Sequence, residues 1–205
     1  MPVATFNDLK DSQREARRAL IRASAQTLFA RQDFASVTAR DIAKAAGVSP
    51  GTIYRYYENM DDLFLDVFFV GAKEIACLVE AECKKPGGCR VRRLCEIYIG
   101  FLNDNITYYQ MMSHFMIGGR LSDTATERLN PVMRRIIDLI QEVLKNAEVG
   151  GNTRMTSHAL FSALNGIMIS YAKYPGRSLE EIRAHTVRLA GVVAGFFEQG
   201  ENGRE

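Results

Sequence analysis

Thr52, Tyr54, Arg55 and Tyr56 place three hydroxyls and a guanidinium within five positions. Such groups donate to phosphate oxygens and to base edges, while small neighbours such as Ser49, Pro50 and Gly51 let a backbone approach a surface closely. Thr38 adds a hydroxyl at a helix start, where open N–H groups suit a phosphate, and Arg40 adds a second guanidinium nearby. Catalytic chemistry finds no comparable footing. There is no nucleophile elbow, phosphate-cradling glycine loop or metal-ligand cluster, and His114, His158 and His185 are scattered. The cysteines fall at 77, 83, 89 and 95. Six residues advance a helix by about 240°, so Cys77 and Cys83 would share no face. Without a C-x-x-C pair they read as buried or incidental thiols of a reducing compartment. The expectation is a protein with no catalytic residue, no cofactor and no metal.

These side chains need a rigid support, and the flanking sequence supplies one. Thr38 caps a helix, with Asp41 three residues on in the manner of a capping box. That helix turns Ile42, Ala45 and Ala46 inward and ends at Gly47, which can take the positive φ of a sharp turn. Ser49 caps the next helix, with Pro50 at its first position, where a missing N–H is no loss. The helix from Pro50 to Tyr56 is too short to be stable alone, so its neighbours must hold it. Two short helices about a glycine-centred turn form the pattern of a DNA-reading helix-turn-helix. In that pattern Ser49, Pro50, Gly51, Thr52 and Arg55 would face the floor of the major groove, with Arg55 placed to pair with guanine.

The chain has 205 residues, 47% of them hydrophobic, which supports a globular core. Its net charge of +2 is uneven: residues 1–60 hold nine Lys and Arg against six Asp and Glu, and the remainder is near neutral. A modestly basic first quarter fits a DNA-contacting head. No run approaches the ~18 apolar residues of a membrane span, and the N-terminus has no apolar signal core, so a cytoplasmic location is expected.

The pattern is all-α, with about nine helices. The first spans about 11–31, with Ala16, Leu20, Ala25, Leu28 and Phe29 as its apolar stripe; Phe34 and Val37 fill the core behind it. Its basic residues Arg14, Arg17, Arg18 and Arg22 suit either a solvated face or phosphate contacts. Asn59 caps a long helix that Pro86-Gly87-Gly88 ends. Helices over 90–105 and 108–117 follow, then one opened by Asn130-Pro131, one over 153–173, and one capped by Ser178 with Glu181. The division expected is a helix-turn-helix head over 1–59 and a helical domain over 60–205.

The chain resembles the tetracycline-repressor (TetR) family of bacterial transcriptional regulators. The matching residues are Leu28-Phe29, Phe34, Thr38, Asp41-Ile42-Ala43, Ala46-Gly47-Val48-Ser49, Gly51-Thr52-Ile53-Tyr54, Tyr56-Tyr57 and Asp62-Leu63. The resemblance implies a three-helix DNA-binding head and a helical C-terminal domain that dimerises and binds a small effector releasing DNA. Tyr54 and Tyr56 resemble the family's backbone-contacting aromatics, with core packing the alternative for Tyr54, and Tyr57 stands where the family has a buried aromatic. Two positions depart from the pattern: Met60 replaces a phosphate-reaching lysine, and Asp33 replaces a glycine.

One short helix reads too few base pairs, so a homodimer on a pseudo-palindromic double-stranded DNA operator is expected. Leu189, Val192, Val193, Phe196 and Phe197 form the expected interface, with Gly191 and Gly195 allowing close approach. Tyr108, Tyr109, Met112, Phe115, Met116, Phe161, Leu164, Met168 and Tyr171 are candidate walls of an apolar effector pocket, or simply core. His114 and His158 are its candidate polar residues. The function expected is a repressor released by an apolar small molecule; the alternative is a helical adaptor with degraded DNA binding.

Overall fold

The computed structural model describes residues 6–32, 36–117 and 121–198. Among them it shows no strand and nine helices: α1 Phe6–Phe29, α2 Ala39–Ala46, α3 Pro50–Tyr56, α4 Met60–Cys83, α5 Val91–Asp104, α6 Ile106–Ile117, α7 Asp123–Asn146, α8 Thr153–Tyr171 and α9 Leu179–Glu198. The all-α reading holds. None of these helices is long and apolar enough to cross a membrane. The chain forms two compact units, one of Met1–Val70 with Gln110–Ala125, the other of Gly71–Tyr109 with Thr126–Glu205.

In the first unit α1 buries Ile21, Ala25 and Phe29, and Phe29 meets Phe64 edge-on with centroids 5.2 Å apart. This corrects the expected stripe. Ala16 is exposed and Leu20 is 51% exposed, because the first turns of α1 run out beyond the core that begins at Ile21. On α2 the buried set is Ala39, Ile42, Ala43 and Ala46, the i, i+3, i+4, i+7 face, and Ala45 falls on the outer side. Val37 is buried; Asp33 and Phe34 lie outside the described residues. Phe68 of α4 packs edge-on against Phe115 of α6 at 5.7 Å.

In the second unit α9 packs against α5 and α8. Two side-chain hydrogen bonds join these helices, one buried and one part-buried: Tyr98 donates to Asn165 Oδ1 at 3.3 Å, and Asn103 Nδ2 donates to Thr186 Oγ1 at 3.0 Å. Gly71 permits a close approach, since a Cβ there would stand 2.4 Å from Tyr108 Cδ2. The helix expected to open at Pro131 instead begins at Asp123 and carries Pro131 inside it. Ser122, whose hydroxyl accepts from the amide of Ala125 at 3.2 Å, supplies the start, so the proline costs one backbone bond without ending the helix. Ser178 and Glu181 form the expected capping box. Cys77 is exposed and Cys83 half-buried, whereas Cys89 and Cys95 are buried, and burial pushes both of these thiols up to about 12.

Candidate nucleic-acid interface

The turn between α2 and α3 is built as the sequence requires. Gly47 has φ 66°, and its amide closes α2 on the carbonyls of Ala43 and Lys44. Ser49 is extended at φ −76°, ψ 152°, and its side chain accepts from the amide of Thr52. Its hydroxyl also pairs with Thr52 Oγ1 at 2.9 Å. α3 then spends a single residue on the core: Ile53 is its one buried side chain. Tyr57 follows as a buried anchor, and its hydroxyl donates to Asp66 Oδ2 at 2.8 Å. Burial, followed by the Asp66 charge, pushes the Tyr57 phenol far above its ordinary range, so it remains a donor.

The remaining side chains of α3 face outward. Ser49, Pro50, Gly51 and Arg55 are exposed, Thr52 and Tyr56 half-buried, and Tyr54 is 57% exposed. The core alternative for Tyr54 therefore does not apply, while Tyr57 takes the inward place. The guanidinium of Arg55 lies 5.6 Å from the Tyr56 ring centroid, stacked along the helix.

At the start of α2, Thr38 is engaged within the helix. Its hydroxyl accepts from the amide of Asp41 and donates to the Asp41 carboxylate, and its own amide donates to Asp41 Oδ2 at 3.0 Å. These bonds hold the Asp41 carboxyl below its usual range, so it stays ionised. Among the described residues no group accepts from the amides of Ala39 and Arg40, which leaves these two and the exposed Arg40 side chain for a phosphate.

Of the four leader arginines, Arg18 and Arg22 turn inward. Arg18 Nε stands 3.1 Å and Arg22 NH1 3.3 Å from Asp66 Oδ2, and Arg18 also lies over the Tyr57 ring at 5.1 Å. Asp66 is a residue that the sequence reading missed. Its signal was there all the same: a lone carboxylate in Phe64-Leu65-Asp66-Val67-Phe68 needs cations.

The family described as bacterial regulatory proteins, tetR family, has a sequence model that matches residues 21–67, which are the core-forming part of α1, the turn, α3 and the start of α4. Residues 21–67, the head of the chain, thus carry the tetR-family pattern. The fold of the chain resembles a transcriptional regulator from Rhodococcus sp. Rha1, at 16% identity and TM-score 0.71, covering 89% of this chain and 96% of that one. It also resembles the fatty acid degradation regulator FadR from Bacillus halodurans, at 19% identity and TM-score 0.69, covering 87% and 95%. FadR from Bacillus subtilis, solved with stearoyl-CoA, matches at 16% identity and TM-score 0.67 over 89% and 98%.

Most of the residues read as effector walls are buried, but in separate settings. Met112 and Phe115 belong to the first unit, while the side chain of Met116 lies outside the described residues. In the second unit Tyr108 packs edge-on to Phe101 at 5.3 Å, Tyr109 is buried, and Phe161 meets Tyr98 at 5.9 Å. Leu164 and Met168 are fully buried. Tyr171 instead stacks on Tyr174 and meets His185 edge-on at 4.7 Å. His114 and His158 are exposed. A void of about 10 Å³ lies among Ile75, Val79, Leu94, Tyr98, Ile136 and Ile140, room for no more than one water. Of the expected dimer residues, Phe196 is 72% exposed and Val192 is exposed, whereas Leu189, Val193 and Phe197 are half-buried. Met155 and Ile169 of α8, which the sequence reading did not single out, are also exposed.

Proposed function

We propose that this chain is a repressor that binds a pseudo-palindromic operator as a homodimer and leaves it when an apolar small molecule binds. One observation carries the reading: α3 is capped at its start and buries Ile53 alone among its own residues, so most of its side chains are presented outward. Thr38, Arg40, Ser49, Pro50, Gly51, Thr52, Tyr54, Arg55 and Tyr56 are the DNA-contacting set, with Thr52 and the small residues nearest the bases and Tyr54 on the backbone. The exposed apolar side chains Val192, Phe196, Met155 and Ile169 favour a second copy docked on α8 and α9.

The effector reading rests on the buried aromatic and methionine side chains of α6 and α8. Because most of these side chains are buried, a ligand must displace them to enter. Work done on entry is then available to change the separation of the two heads from the ~34–36 Å of one DNA turn. A coupling of about 1–3 kcal/mol is enough for release. The stearoyl-CoA held by Bacillus subtilis FadR makes acyl thioesters and fatty acids the first compounds to titrate.

Selection of bound duplexes from a random pool tests the reading. The expected product is an inverted repeat, bound less tightly by Thr52→Ala and Tyr54→Ala. A pool that emerges without enrichment overturns it and favours the adaptor alternative.

A further inference from the structure

We propose that the first turns of α1 form, with Arg55 and Tyr56 of α3, a second DNA-backbone site that holds phosphates flanking the bases read by α3. This inference rests on the DNA-binding reading above and extends the contact surface beyond the helix-turn-helix. Lys10, Arg14 and Arg17 follow one another at i, i+4 and i+7, so they share a face of α1. That face and Arg55 and Tyr56 are the walls of one open groove of about 640 Å³, completed by Gln13. Among the described residues its walls hold four cations and no carboxylate.

Its neighbours make the contrast. Arg18 and Arg22, on the adjoining face of the same helix, are paired with Asp66, and Arg22 also with Glu15. Among the described residues Arg14, Arg17 and Arg55 have no ion-pair partner. Three guanidinium groups gathered in one groove without an ion-pair partner repel one another, and a polyanion relieves that cost. The first turns of α1 bury nothing at Ala16 or Leu20, so core packing does not account for them. They also lie before the family-matched segment, which begins at residue 21. The same groove assigns Arg55 to the backbone: its guanidinium stacks on Tyr56 and faces α1, rather than the groove floor where guanine pairing would need it.

The test measures duplex affinity of the full chain against salt concentration. Arg14→Ala with Arg17→Ala should lower the slope of log K on log salt by about 0.9 per cation, about 1.8 per bound protomer. Selected and scrambled duplexes should weaken by the same factor, and Arg14→Lys with Arg17→Lys should restore the slope. Alanine favours helix, so α1 is retained, and far-UV circular dichroism checks this. An unchanged slope, or a loss confined to the selected duplex, overturns the inference. So does inhibition of duplex binding by inorganic phosphate at fixed ionic strength that the Ala pair abolishes, which would mark a site for free anions. If the unaltered chain shows no preference among duplexes at any salt, the proposed function fails first; if it discriminates and only the slope is unmoved, this inference alone fails.

Discussion

The hydroxyl of Tyr57 donates to Asp66 across 2.8 Å, and the same carboxylate oxygen receives Arg18 and Arg22. One acid thus ties α1, the residue that ends α3, and α4. Removing it leaves two partly buried guanidinium groups and a buried phenol without their acceptor. Asp66→Ala is expected to cost about 2–3 kcal/mol and Tyr57→Phe about 1 kcal/mol. The double variant should cost less than the sum, because both changes break the same bond. Urea unfolding of the three variants measures this, and strict additivity would show that the contact is not coupled.

Two glycines should fail for different reasons. Gly47 holds φ 66° in open space, so Gly47→Ala costs only backbone strain, about 1 kcal/mol, and Gly47→Asn less. Gly71 has ordinary φ but no room, and Gly71→Ala drives a methyl into the Tyr108 ring, costing about 1–3 kcal/mol. A shift to Tyr108→Ala in the Gly71→Ala background should recover part of the second loss and none of the first. Equal recovery in both backgrounds would contradict the geometry.

The capping carboxylates set a pH dependence. Hydrogen bonds from Thr38 hold Asp41 below its ordinary value of 3.8, and bonds from Ser178 do the same for Glu181 against 4.5. A carboxyl whose pKa is lowered on folding binds its proton more readily when unfolded, so its stabilisation is present above the unfolded value and fades as pH falls below it. Asp41→Asn should therefore lower the Tm at neutral pH, with the gap to the unaltered chain closing below about pH 3.8. Thermal melts across that range check it; a gap that stays constant down to pH 2 would refute it.

Thiol labelling should follow burial. With Cys89 and Cys95 pushed up to about 12, only about one thiol in ten thousand is ionised near pH 8. Iodoacetamide should label the exposed Cys77 first and these two last, read by peptide mass spectrometry. Early labelling of Cys95 would mean that α5 opens readily.

Local chemistry made the head legible in the sequence. Thr38 with Asp41, Gly47, and Ser49 before Pro50 each specify a backbone state within a few residues, and each is found as expected. What was not legible depends on distant partners. The arginines of α1 look alike in sequence, yet Asp66, more than forty residues away, divides them into an inward pair and an outward set. Ala16 and Leu20 fit a helical stripe, but periodicity does not say where the core beneath it ends. The effector walls were the least legible, because buried aromatic and methionine side chains obey the same pattern whether they line a cavity or fill it. Tyr98 and Asn165, a buried polar pair, carried no local signal.

Because Ile53 is the single side chain that α3 commits to the interior, the other six positions are almost free of folding duty. On the proposed reading, new operator preferences can be written onto this helix by exchanging outward residues while thermal stability stays nearly constant. Evolution, or a designer with a randomised library at positions 51 and 52, can retune the target without rebuilding the scaffold.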